Sequence, residues 1–304
     1  MALQRLFGAL PPDYFLTLVD VGSAGGLAKR WRGFAPILSA VLFDPREAAA
    51  SGELGRGKIR VYPVALSDAP GEAELYFTAL PNMSSFLKPD PEVFARYRKK
   101  GRDAAVASTE MVKVDTLDAL AKADGFKPSV LKVDTQGSEL LVLNGAKKAL
   151  ESVVLAEIEV SFFQRYEGQP VLADIQAWMG SHGFELIELY RIKRYRAVNK
   201  LGIYQPLLGG WQRSGRAAYG DAIFLRRPDS LLAAARKDNG ASLISAIVAL
   251  IAYGKADHAA ALLDQAEGVL PNDRIEALRV ALTGLYRGRL WRELGGLAAR
   301  IRGR

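Results

Sequence analysis

The chain has 304 residues, 49% hydrophobic and 24% charged, with no cysteine and a formal net charge of +8. These values exclude a disordered, collagen-like or disulfide-stapled chain, and with them any thiolate metal site. No apolar run approaches the ~20 residues of a membrane span, and Met1-Ala2-Leu3-Gln4-Arg5-Leu6-Phe7 lacks the layout of a secretory leader, so the expected location is the cytoplasm. From Leu16 to about Arg227, short β-branched runs alternate with helical patterns. That alternation predicts βα units around a mostly parallel, doubly wound sheet. The predicted strands are Phe15 to Val21, Ala40 to Phe43 and Ile59 to Leu66, then an extra strand from Glu72 to Phe77 and an extended piece from Met111 to Val114. A helix follows from Thr116, then a strand from Ser129 to Val133, a helix from Glu139 to Leu150 and a strand from Val153 to Val160. The helix Val171 to His182 stops at Gly183, a usual C-terminal signal. Phe184 to Tyr190 and Ala222 to Leu225 are the last two strands, separated by a long irregular stretch from Arg191 to Gly220. Stretches of that length are usually functional or mobile.

After Arg227-Pro228 the composition turns to Ala, Leu and Arg, with helices at Leu231 to Arg236, Ser242 to Tyr253, Ala256 to Gly268 and Asp273 to Tyr286. The expected division is therefore a doubly wound α/β domain over 1–228 and a small all-helical extension over 229–304. Residues 246–271 resemble one tetratricopeptide-like hairpin. A single hairpin cannot stand as a repeat array, so the extension is expected to pack on the α/β domain or on a second copy, which makes homo-oligomerisation an expectation too.

The first strand ends in Val19-Asp20-Val21-Gly22-Ser23-Ala24-Gly25-Gly26. In open α/β sheets, ligands bind at the carboxyl ends of the strands, where strand order reverses, and glycine lets the backbone pass close to them. Ala24 breaks the G-x-G-x-x-G spacing that a dinucleotide needs. An acidic residue, a spacer, Gly22 and Gly26 suit an adenosyl amino acid instead. Asp20, Gly22, Ser23, Ala24 and Gly26 are thus cofactor-binding candidates. Asp44, just past the second strand, is placed to accept from ribose hydroxyls, or alternatively to cap a helix. Ala65, Leu66, Ser67 and Asp68, at the end of the third strand, are placed for the adenine edge.

The run from Val130 to Ala146, with Asp134-Thr135-Gln136-Gly137-Ser138-Glu139 at its centre, resembles the signature of the FkbM methyltransferase family. Phe43-Asp44-Pro45, Thr116-Leu117-Asp118, Glu159-Val160-Ser161-Phe162, Tyr166 to Pro170 and Asp221 to Phe224 match in the same order, so the resemblance covers about Leu16 to Arg227. It implies a class I, Rossmann-like seven-stranded sheet, S-adenosyl-L-methionine as methyl donor, and O-methylation of a sugar, glycan or secondary-metabolite hydroxyl. The common family form has Glu at the position of Gln136 and often Asn at that of Ala24.

Transfer to a hydroxyl needs the reactants held in line and a group that takes the acceptor's proton. Asp134, at the strand end beside the expected methyl position, is the first candidate and is also expected to touch the cofactor; Glu159 is the second and Glu139 the third. His182 and His258 sit at a helix end and in the C-terminal region. A metal held by Asp134 and Glu159 lacks a dense ligand cluster, so none is expected. Asn82, Ser84 and Ser85, with Gln136 and Tyr166, are the acceptor-pocket candidates, and Trp211 lies in a stretch that could close over it. The basic clusters at 96–102 and 191–196 leave an RNA ribose methyltransferase as the competing reading, although the chain lacks the Asn/Asp-Pro-Pro-aromatic motif of base-amine methylation. A cofactor-binding scaffold without turnover is the third. Nucleic acid is not the expected partner.

Overall fold

The computed structural model describes residues 2–23, 25–205 and 213–286. Ala24, Trp211 and the end of the helical extension, 287–304, lie outside the described residues. Eleven strands occur among the described residues: β1 Leu16–Val21, β2 Leu38–Phe43, β3 Ala50–Leu54, β4 Gly57–Tyr62, β5 Ala65–Leu66, β6 Gly71–Thr78, β7 Val106–Asp115, β8 Val130–Val133, β9 Leu155–Ser161, β10 Phe184–Tyr195 and β11 Arg216–Arg226. Eight of them form one sheet in the order β10-β11-β9-β8-β1-β2-β4-β3, and β5, β7 and β6 form a smaller sheet. The central five, β4-β2-β1-β8-β9, are parallel, whereas β3, β11 and β10 pair antiparallel. Strand order reverses between β1 and β8, which is where an open α/β sheet leaves a crevice.

The main sheet has eight strands and not the expected seven. The added strand is β3, Ala-Ser-Gly-Glu-Leu, which is exposed along almost its whole length. It carries no β-branched or aromatic residue and is held by backbone pairing to β4 across a tight turn at Gly55. A strand made that way leaves no hydrophobic pattern. The expected third strand divides at Pro63, which has no N–H to offer a ladder: its first part joins the main sheet, and Ala65–Leu66 joins the small one. The stretch from Arg191 is less irregular than expected. β10 runs on to Tyr195 and β11 starts at Arg216, with two register shifts where polar, solvent-facing residues replace the alternation of the core.

One face of the sheet is wholly apolar. Val19, Val21, Leu131, Val133, Ala156 and Ile158 pack there against the helices Glu139–Asn144 and Leu172–Ser181. The other face is apolar only in its lower half. Leu16, Leu18, Val130, Leu155, Ile223 and Leu225 are covered by the C-terminal helices Pro228–Lys237, Ala241–Ala252 and Ala256–Leu263, by the helix at 272–286 and by the 3₁₀ segment Lys29–Ile37 with Trp31 and Phe34. Residues Leu243 to Leu250 are all buried, as expected of a helix apolar on every side. Each such Leu, Ile or Val contributes roughly 1.5–3 kcal/mol by leaving water. The helices are thus part of the layer that closes this face. Tyr14 Oη donates to Ser245 Oγ at 3.1 Å, and Tyr253 Oη donates to Glu157 Oε2 at 2.6 Å. The second bond ties the helical layer to a strand immediately below the polar end of the sheet.

Candidate functional site

In the upper half of that second face, the period of two along each strand brings charges into one row. Asp20, Lys132 and Glu157 are register partners on β1, β8 and β9. Two residues further along, at or just past the strand ends, come Gly22, Asp134, Glu159 and Asp221, the last opposite Glu159 on β11. Five carboxylates on one face require cations. Lys132 Nζ lies 2.9 Å from Asp20 and 3.9 Å from Asp134, Arg30 lies 3.4 Å from Glu157, and Arg165 lies 3.1 Å from Glu159. Burial pushes the Asp20 carboxyl up while Lys132 draws it back. Burial opposes the Lys132 ammonium, but Asp20 and Asp134 outweigh it and raise its pKa. Burial first, then Asp134, holds Glu159 well above the usual carboxylate range against the pull of Arg165. Asp221 is pushed up to about 6 by burial and by the neighbouring Glu157 and Asp134.

Above this row lies a cavity of about 490 Å³, walled by the ends of β1, β2, β8 and β9 and roofed by the segment after β6. Asp20, Gly22, Ser23, Gly26, Asp44, Ala65, Leu66, Asn82, Ser84, Ser85, Asp134, Gln136 and Glu159 all line it. Gly22 has φ +79°, and a Cβ on it would stand 2.0 Å from the carbonyl oxygen of Asp134. The turn can therefore reach the cavity floor only as glycine. Ser23 is 4% exposed, and its buried hydroxyl has no hydrogen-bond partner among the described residues. A buried hydroxyl left so costs roughly 1–3 kcal/mol, so an orphan at a cavity wall points to a ligand that satisfies it. Gln136, in the left-handed region at φ 58°, donates through Nε2 to Asp134 at 3.0 Å and to Glu159 at 2.8 Å, setting both carboxylates at one end of the cavity.

Four expected residues lie elsewhere. Glu139 is buried and accepts from the N–H groups of Thr135 and Gly137 at 3.0 Å, so it shapes the turn that carries Asp134 and Gln136. Burial raises its pKa, and the Gly137 N–H opposes the rise. Tyr166 is buried, donates to the Met83 carbonyl at 2.9 Å and packs edge-on against Phe94, holding the roof segment from behind. Ser67 and Asp68 turn away from the cavity, with the Ser67 carbonyl against Gly145. His182 stacks on Trp178, and neither it nor His258 lines the cavity. Among the described residues, no three His, Asp or Glu converge as a metal-binding group.

The structure adds residues that strand patterns could not single out. Arg46 donates to Asp44 from its own N–H at 2.9 Å and from Nε and Nη2 at 3.2 Å, so both oxygens of that buried carboxylate are engaged. Arg165 is buried under an aromatic group, its guanidinium 4.4 Å from the Tyr219 ring centre, with Nε donating to Ser161 at 2.9 Å and Nη1 to Tyr195 at 3.4 Å. Lys132, Arg191 and Tyr219 complete the wall. Of these, Lys132 left a signal in the sequence as a lone cation in a strand otherwise wholly apolar, and Arg191 lies in the basic cluster at 191–196.

A mostly parallel sheet with an acid-and-glycine turn at its switch point defines an α/β protein whose candidate ligand site lies at the carboxyl ends of the strands. Residues 40–186 match the family model described as the Methyltransferase FkbM domain, so just under half of the chain is similar to the FkbM methyltransferase family. No curated protein matches the sequence. The chain is also similar to the crystal structure of Methyltransferase FkbM from Methylobacillus flagellatus KT, with 12% identity, a TM-score of 0.34 and coverage of 72% of this chain. It spans 45% of that protein's length.

Proposed function

We propose that the chain is an S-adenosyl-L-methionine-dependent methyltransferase acting on a hydroxyl of a sugar, glycan or secondary metabolite in the cytoplasm. The observation that carries this reading is the single cavity lined by an orphan buried hydroxyl, Ser23, a glycine floor at Gly22 and the carboxylates Asp134 and Glu159. Gly22, Ser23, Gly26 and Asp44 would hold the cofactor, with Ala65 and Leu66 against its flat apolar part. S-Adenosyl-L-methionine supplies an electrophilic sulfonium methyl. Asp134, its side chain 34% exposed at the cavity, takes the acceptor's proton as general base. Glu159, raised by burial, is closer in proton affinity to a hydroxyl and serves as the second candidate. Gln136 orients both, and Lys132 keeps Asp134 company as a cation rather than a donor to the acceptor. Residues 1–228 carry this chemistry in our reading, and the described part of the 229–304 extension, 229–286, closes the sheet beneath it.

Titration calorimetry with S-adenosylhomocysteine, with NAD as control, tests the proposal. We expect micromolar binding that Asp44→Ala weakens by ~1–3 kcal/mol, the scale of hydrogen bonds lost in a buried site. Absence of binding, or a preference for NAD, would refute it.

A further inference from the structure

The chain's basicity is concentrated. Residues 94–102 hold five Lys and Arg and no Asp or Glu, and residues 191–220 hold seven and none; outside these two segments acidic residues outnumber basic ones. Far apart in sequence, the two segments meet in the fold. Tyr97 and Ala197 form an antiparallel bridge, Arg98 N–H donates to the Arg196 carbonyl, and Val198 N–H donates to the Arg96 carbonyl, both at 2.8 Å. The side chains of Arg96, Arg98, Arg196 and Lys200 are exposed around this junction.

At its centre stands a built turn. Asn199 accepts from Ile203 N–H at 3.0 Å and donates to the Ile203 carbonyl at 2.8 Å, and Gly202 takes the left-handed conformation the turn requires. This staple holds Leu201 out at 81% exposure, with Val198 at 58% and Ile203 at 47%. Three aliphatic side chains held in water on a segment that also carries exposed cations form a patch whose two parts ask for different surroundings, one apolar and one anionic. Nucleic-acid surfaces pair their cations with exposed aromatic platforms for bases. Among the described residues of the two segments, Tyr97 and Tyr195 are buried, and Tyr204 is half-buried with Arg98 over its face at 4.5 Å.

We propose that this patch is a docking surface for an anionic lipid bilayer: Leu201, Val198 and Ile203 enter the acyl boundary, and the surrounding Arg and Lys meet headgroup phosphates and carboxylates. Aliphatic insertion plus attraction to anionic lipid is the usual composition of peripheral membrane binding. Among the described residues no helix is long and apolar enough to span a membrane. The two strands that lead to the patch, β10 and β11, line the cavity at Arg191 and Tyr219.

Flotation of the full chain with vesicles tests this without cofactor or acceptor. We expect binding to phosphatidylcholine vesicles containing phosphatidylserine at low salt, and little to phosphatidylcholine alone. Neutralising two cations, Arg196→Gln with Lys200→Gln, should lower partitioning about thirty-fold, at roughly 1 kcal/mol per charge. Leu201→Asp should lower it about tenfold or more, with the circular dichroism spectrum unchanged in both variants. Absence of binding to the anionic vesicles, or binding that Leu201→Asp leaves intact, would overturn the proposal. So would tight, salt-sensitive binding of a single-stranded RNA probe without vesicle binding, which would make the patch a nucleic-acid surface.

Discussion

Replacing Arg165 by Met removes a cation while nearly keeping its volume. The guanidinium is almost wholly enclosed and makes a 3.1 Å ion pair with Glu159, a 2.9 Å bond to Ser161 and contacts with the Tyr219 and Tyr166 rings. Breaking a buried pair from one side costs about 3–5 kcal/mol, because a charge is left without a partner. Glu159 has an escape: it takes a proton, to which burial and Asp134 already incline it. The loss should therefore stand near the upper figure at pH 8 and shrink as the pH falls. Its folded-state pKa, already raised, climbs further without Arg165, so the variant's stability is fully present below the ordinary carboxylate pKa and is lost as pH rises through the folded value. Adding Glu159→Gln should recover most of the loss, since the second substitution removes the stranded charge. Urea denaturation of the wild type, both single variants and the double variant at pH 5 and pH 8 measures this cycle. A loss below about 1 kcal/mol that does not change with pH, or two single losses that simply add, would show that the pair is not what holds this part of the site.

Gly22→Ala places a methyl against the Asp134 carbonyl at an unfavourable φ. We expect a loss of S-adenosylhomocysteine binding in calorimetry together with a fall of roughly 2 kcal/mol or more in stability, as for a backbone clash that cannot relax. Asp221→Asn tests the carboxylate row. In the wild type Asp221 binds its proton more tightly folded, at about 6, than unfolded, at 3.8, so stability falls as pH rises from about 4 to 6. The variant should escape this fall and exceed the wild type in stability above pH 6 by up to about 3 kcal/mol, seen as a higher thermal midpoint, with the advantage gone below pH 4. An unchanged pH profile would mean that Arg191, 3.6 Å away, compensates the charge fully.

Much of the site could be read before the structure. Gly22, Asp44, Asp134 and Glu159 each stand at the end of a predicted strand, and strands bounded by acid, glycine or proline are local patterns. A period of two, once a strand is known, also decides which of its residues share a face, so Asp20 with Gly22 and Glu157 with Glu159 follow from spacing alone. The long apolar run at Leu243 to Tyr253 likewise announces a buried helix.

What the chain order hides is every relation between strands. Nothing local tells that Lys132 falls between Asp20 and Glu157, because that depends on register across three strands far apart in sequence. Asp44 is legible as an acceptor for ribose, but not that Arg46 orients it by donating to both its oxygens, a pairing set by the turn after β2 that leaves further lone pairs free. Arg165 looks like a surface cation until β9 and the aromatic group around Tyr195 enclose it. β3 exists by backbone pairing alone, and backbone hydrogen bonds carry no side-chain signature. The two basic clusters are visible as composition, but only the bridge between Tyr97 and Ala197 makes them one surface. Local sequence decides where a strand ends and which way each side chain points. The energy that selects its neighbours comes from burial and charge compensation between segments, and those contacts exist only once the chain has folded.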